Sequence, residues 1–116
     1  MLARILLLAL SSACLFAADV TGTWFFTVDL SAGSGAPTIE LKQEGTKLTG
    51  KYSGTLGDVP LVGKLDGDSI ELVGNAEYSG EKLRLTYVGK LTSATTMEGK
   101  AIYGELGEGK FTGKKK

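Results

Sequence analysis

The chain has 116 residues, with 13 basic and 13 acidic side chains, 17 glycines, a single tryptophan, a single cysteine and no histidine. Without histidine a Ser-His-Asp triad cannot form, and the commonest transition-metal ligand is missing. The balanced charge offers no attraction to a polyanion, so no nucleic-acid partner is expected.

Residues 1–18 carry one positive charge, Arg4, then an apolar stretch from Ile5, and finish on Ala17 and Ala18. That is the layout of a secretory signal peptide cut near Ala17 or Ala18, and it is shorter than the roughly 20 apolar residues of a membrane-spanning helix. It predicts a secreted or periplasmic protein. A retained apolar anchor is one alternative. Lipidation of Cys14 is another, because Ser11-Ser12-Ala13-Cys14 resembles a bacterial lipoprotein box, and it would bring the domain to a membrane. Cleavage removes Cys14 and Arg4. Residues 19–116 then form one small domain without disulfides, which its apolar core alone must hold together.

From residue 22 onward apolar and polar residues alternate, the period of a strand with one buried face. Residues 22–30 place Trp24, Phe26, Val28 and Leu30 on one side and Thr23, Phe25, Thr27 and Asp29 on the other. The Gly, Ser, Ala and Pro of 31–37 predict a flexible loop. Strand 38–44 offers Ile39 and Leu41, a tight turn follows at Glu44-Gly45, and 47–53 offers Leu48, Gly50 and Tyr52. Residues 54–58 predict a loop, with Pro60 at the start of the next strand, where its missing N–H does least harm. Leu61, Gly63 and Leu65 share a face, and Asp66-Gly67-Asp68 is a hairpin signal. Strand 69–77 sends Ile70, Leu72, Gly74 and Ala76 inward, and Ser79-Gly80-Glu81 turns the chain. Strand 82–91 sends Leu83, Leu85, Tyr87, Gly89 and Leu91 inward, and 96–103 sends Met97, Gly99, Ala101 and Tyr103. A loop over 104–109, a closing strand at 110–113 around Phe111, and a solvated basic tail, Lys114 to Lys116, complete the chain.

These eight strands have no connection long enough for a crossover helix, so neighbours should pair antiparallel. A meander leaves its first and last strands as edges, and closure removes them. The prediction is an all-β, eight-stranded up-and-down barrel, with a β-sandwich as the alternative.

Gly-Lys recurs six times, at 50–51, 63–64, 89–90, 99–100, 109–110 and 113–114. Alternation turns each glycine inward and each lysine outward. Glu40, Glu71 and Glu98 share the outer face with the lysines, which predicts mixed charge for solubility and edge protection. Glycine inside a strand costs stability, so the inner glycines need a cause. They either let a small barrel bend sharply or leave a cavity inside it.

The opening Gly22-Thr23-Trp24 resembles the first strand of lipocalin and avidin-like (calycin-type) barrels. The resemblance implies a tryptophan plugging one barrel end, with a late basic side chain packed over it. Arg84 can take that place only if a bulge re-aims it. An avidin-type biotin site needs several tryptophans, so biotin is not expected. The Gly-Thr-Trp start with Gly109-x-Phe111-x-Gly113 near the end is also similar to small secreted bacterial β-domains, which implies fold and export but no activity.

The function predicted is therefore an exported, non-catalytic domain that binds a small apolar ligand inside the barrel. Trp24, Phe26, Tyr52, Tyr87 and Tyr103 would line the site, as rings with polar tips. The runner-up is a structural or partner-binding module with a filled core. It would use the outward residues Phe25, Val62, Val73, Val88 and Ile102 if they cluster. A carboxylate-based enzyme using Asp66 with Asp68, or Glu105 with Glu108, ranks third. Neither pair has the ligand count of a calcium loop, and no metal or cofactor is expected.

Overall fold

The alternating pattern resolves into nine strands in a computed structural model, which describes residues 19–116. They are β1 (Gly22–Leu30), β2 (Gly33–Gly35), β3 (Thr38–Glu44), β4 (Lys47–Gly54), β5 (Gly57–Asp66), β6 (Ser69–Tyr78), β7 (Glu81–Ser93), β8 (Thr96–Tyr103) and β9 (Glu108–Lys115). The predicted leader and Cys14 lie outside the described residues. Consecutive long strands pair antiparallel, and β9 pairs back onto β1. The result is a closed eight-stranded up-and-down barrel with one short extra strand, β2. It is the predicted barrel, not the sandwich.

Three local expectations are corrected. Residues 31–37 are not a free loop. Ser31 and Ala32 make a two-residue turn, and β2 pairs with the end of β1, Val28 opposite Gly35 and Leu30 opposite Gly33. The same register continues into β3, with Phe25 opposite Thr38, and the Phe26 N–H donates to the Pro37 carbonyl at 3.0 Å. Pro37 has no N–H to return, which is why the strand reads as two pieces. Pro60 lies inside β5 opposite Lys51, and the β5–β6 ladder begins only at Leu61, past the missing donor. The basic tail is also strand. Lys114 pairs with Phe25 and Thr96, and Lys115 pairs with Trp24, because closure needs a last strand as long as the first.

The inward glycines are notches for backbone. A Cβ on Gly50, Gly63, Gly89 or Gly109 would overlap the carbonyl oxygen of Glu40, Glu71, Glu98 or Asp29 respectively, each on the adjacent strand. Gly89 and Gly99 face each other directly across β7 and β8. Two others admit side chains. A Cβ on Gly113 would meet the Phe26 ring at 2.7 Å, and one on Gly74 would meet Leu61 at 2.7 Å. Followed across the register, one inner row reads Leu41, Gly50, Leu61, Gly74, Leu85, and another reads Ile70, Gly89, Gly99, Phe111, Val28. Large side chains thus fill the space that glycine leaves, as a tightly curved sheet requires. Curvature, not room, accounts for the glycines.

The wall's outer side carries the lysines, and the acids stand opposite them. Glu40 pairs with Lys51, Glu71 with Lys64 and Glu98 with Lys90. Lys64–Glu71 at 4.0 Å and Lys100–Glu108 at 3.5 Å are exposed ion pairs, each worth at most about 1 kcal/mol.

Candidate functional site at the upper mouth of the barrel

The barrel has two unlike ends. The lower end holds the N-terminal segment and the turns at Gly45–Thr46, Gly67–Asp68 and Ala94–Thr95. The upper end holds the turns at Ser31–Ala32, Thr55–Leu56 and Ser79–Gly80 and the 3₁₀ turn Gly104–Leu106.

The lower end is plugged. Val20 and Trp24 are fully buried there, and the Trp24 Nε1–H donates to the Val20 carbonyl at 2.9 Å. Gln43 of β3 clamps the segment. Its Oε1 accepts the Val20 N–H at 2.9 Å, and its own N–H donates to Thr21 Oγ1 at 3.0 Å. Gly22, at φ 141°, lets the chain fold from the plug into β1, a backbone region closed to other residues. The basic residue beside Trp24 is Lys115, its cross-strand partner, whose ammonium donates to the Asp19 carbonyl at 3.0 Å. Arg84 is exposed on the outer face of β7 and takes no part.

Above the plug the interior is filled. Phe26 stacks on Phe111 at 4.9 Å, and the Tyr87 ring meets both edge-on, at 5.2 and 5.3 Å. Tyr103 meets Tyr87 edge-on at 5.8 Å, and their hydroxyls are hydrogen-bonded. Each such side chain contributes about 1.5–3 kcal/mol by leaving water.

The upper end is open. Here lies a cavity of about 500 Å³, lined by side chains such as Val28, Leu30, Pro37, Leu56, Tyr78 and Leu106, with Tyr52 and Tyr103 among them. Among the described residues, no lysine, arginine, aspartate or glutamate lines it. Of the five residues predicted for a ligand site, the structure brings Tyr52 and Tyr103 to this cavity. Phe26 and Tyr87 are packed beneath it, and Trp24 closes the opposite end. Sequence reasoning passed over the rim. Tyr78 has the inward parity of Ile70, Leu72 and Ala76 but sits one residue past the predicted end of its strand. Leu56 and Leu106, apolar residues in glycine-rich turns, were a readable signal.

Burial holds the hydroxyl pKa values of Tyr87 and Tyr103 well above the ordinary tyrosine value, so both are neutral donors at physiological pH. The folded values exceed the unfolded value of about 10, so the unfolded chain binds fewer protons above that pH. The tyrosine contribution is complete below about pH 10 and falls as pH rises past it, by up to about 1.4 kcal/mol per pH unit for each tyrosine. Urea denaturation at about pH 9 and about pH 11 should show a steeper loss in the wild type than in the Tyr87→Phe/Tyr103→Phe double variant. Equal losses would contradict the assignment.

The acidic pairs do not meet. Asp66 and Asp68 flank the Gly67 turn at the lower end, and Glu105 and Glu108 lie at the upper end. Among the described residues, no three of Asp, Glu, Cys or His group together as metal ligands do. On the outer wall, Val62, Val73, Thr86 and Ile102 form one continuous cross-strand row, Val62 being 60% exposed. Val88 lies two residues along from Thr86, and Phe25 stands apart between Lys114 and Thr38. The neighbouring outer row runs Lys47, Lys64, Glu71, Val88, Lys100, so the apolar row is a narrow stripe beside a mostly charged one.

No family model matches this chain, and no curated protein does. Among solved structures, a redesigned β-barrel is similar at a TM-score of 0.63 and 18% identity, over 87% of this chain and 90% of that one. That likeness shows the fold: an all-β, antiparallel, eight-stranded barrel.

Proposed function

We propose that this protein is an exported, non-catalytic binding domain that holds a small apolar ligand in the upper mouth of its barrel. The observation that carries the proposal is the contrast between the ends: a hydrogen-bonded tryptophan plug below, and above it an uncharged cavity of about 500 Å³. That volume falls in the usual range for small-molecule sites, and an apolar lining with a few hydroxyls suits an apolar occupant. The deep interior is not available to a ligand, because its aromatic side chains already fill it.

A solvatochromic naphthalene dye, propionyl-dimethylaminonaphthalene (prodan), serves as the probe. The protein should enhance and saturate its fluorescence. Gly35→Trp, opposite the inward Val28 and with nothing within 4 Å of its Cβ position, places an indole in the cavity and should weaken binding at least about tenfold, while leaving the protein folded. Equal binding by the variant would remove the mouth as the site.

A further inference from the structure

The tyrosines on the cavity floor say more about what enters. The Tyr87 side chain is fully buried, and among the described residues its hydroxyl has one hydrogen-bond partner, the hydroxyl of Tyr103. A phenol has a single proton to give. If Tyr103 donated to Tyr87, the Tyr87 proton would be buried with no acceptor, at a cost of about 1–3 kcal/mol. The order is therefore fixed: Tyr87 donates and Tyr103 accepts. The proton of Tyr103 then turns toward the Tyr52 hydroxyl beside it, from which an entering acceptor can take it, since both tyrosines line the cavity. Tyr103 is 6% exposed and Tyr52 beside it 2% exposed, so this donor faces the cavity and not open solvent. The floor offers a neutral donor at its inner end, in surroundings with no charged side chain among the described residues.

We infer that the cavity selects an uncharged, largely apolar molecule that enters with a hydrogen-bond acceptor leading, a carbonyl, ether or ring nitrogen, which takes the Tyr103 proton. A carboxylate or ammonium would lose its hydration and find no counter-charge there. A plain hydrocarbon would fit the walls but offer the Tyr103 donor nothing beyond its Tyr52 neighbour. The apolar rim residues Leu30, Leu56 and Leu106 then cover the trailing part of the ligand.

This inference rests on the mouth being a binding site, and the experiment separates the two. Prodan carries a carbonyl, and its propyl analogue has the same ring and chain without one. Both are titrated into the wild type and Tyr103→Phe, after circular dichroism has verified folding. The wild type should bind prodan about tenfold more tightly than the variant does, while the two proteins bind the propyl analogue equally. The emission of prodan bound to the wild type should lie to the red of its emission in a polar aprotic solvent, as a hydrogen-bonded carbonyl requires. That spectrum needs no variant and decides the matter if Tyr103→Phe does not fold. Equal prodan affinity in both proteins, or emission from the wild-type complex no redder than in a polar aprotic solvent, overturns the inference and leaves the binding site standing. Failure of both probes to bind overturns the binding site as well.

Discussion

Gly63→Ala should destabilise the barrel by about 3 kcal/mol, the upper part of the range for overpacking, although it adds one methyl group and raises strand propensity. The new Cβ would overlap the Glu71 carbonyl oxygen of β6. That oxygen belongs to the wall of the barrel, and it can move away only by opening the β5–β6 ladder. Gly35→Ala is the control. Nothing lies within 4 Å of its Cβ position, and its backbone is not in the region reserved for glycine. There the substitution should be neutral, or stabilising by up to about 1 kcal/mol through the unfolded state. Denaturant midpoints of the two variants measure the contrast. A Gly63→Ala protein within about 1 kcal/mol of the wild type would mean that the inner glycines are not what lets the sheet curve. The loss expected is a large part of the total, since a domain of this size has roughly 5–15 kcal/mol to lose.

Trp24→Ala should cost about 3–5 kcal/mol, the range for removing a large buried aromatic side chain. The indole fills the lower end of the barrel, and its N–H satisfies the Val20 carbonyl. Its loss opens a void and releases the N-terminal segment from the plug. Trp24→Phe keeps much of the volume but orphans that carbonyl, and should cost less, about 1–3 kcal/mol. Because Trp24 is the single tryptophan, far-ultraviolet circular dichroism is the readout, with hydrogen exchange at Val20 and Gln43 as the local one. Equal thermal midpoints for wild type and Trp24→Ala would contradict the plug.

The strands were legible because both faces of the wall obey one rule. From Trp24 to Phe111, nearly every inward position is apolar or glycine, and the turns at Gly45, Gly67 and Gly80 announce themselves by composition. The errors have physical causes. Residues 31–37 look like a loop because Gly33, Ser34, Gly35 and Pro37 are poor strand formers, yet β1 supplies a ready edge and holds Gly33–Gly35 in register. Lys114 and Lys115 look like a tail because charge suggests solvent, but β1 has a long edge that only β9 can cover. The choice between curvature and cavity at the glycines could not be read in one dimension, since it turns on how closely a neighbouring carbonyl approaches. The candidate site was half legible for a related reason. Alternation identifies inward tyrosines without giving their height in the barrel. Tyr52 and Tyr103 reach the mouth, Tyr87 stops a layer below, and Tyr78 was lost to a strand boundary placed one residue early.

The outer stripe from Val62 to Ile102 and the upper mouth make different demands on a binding experiment, so mapping where the probe lands is the most direct test of the functional account. Amide correlation spectra recorded during titration with prodan should show shifts concentrated at Gly33, Gly35, Gly54, Leu56, Tyr78 and Leu106, with Trp24 and the outer wall unmoved. Shifts centred on Val62, Val73 and Ile102, or a saturated complex with no change at the mouth, would contradict it.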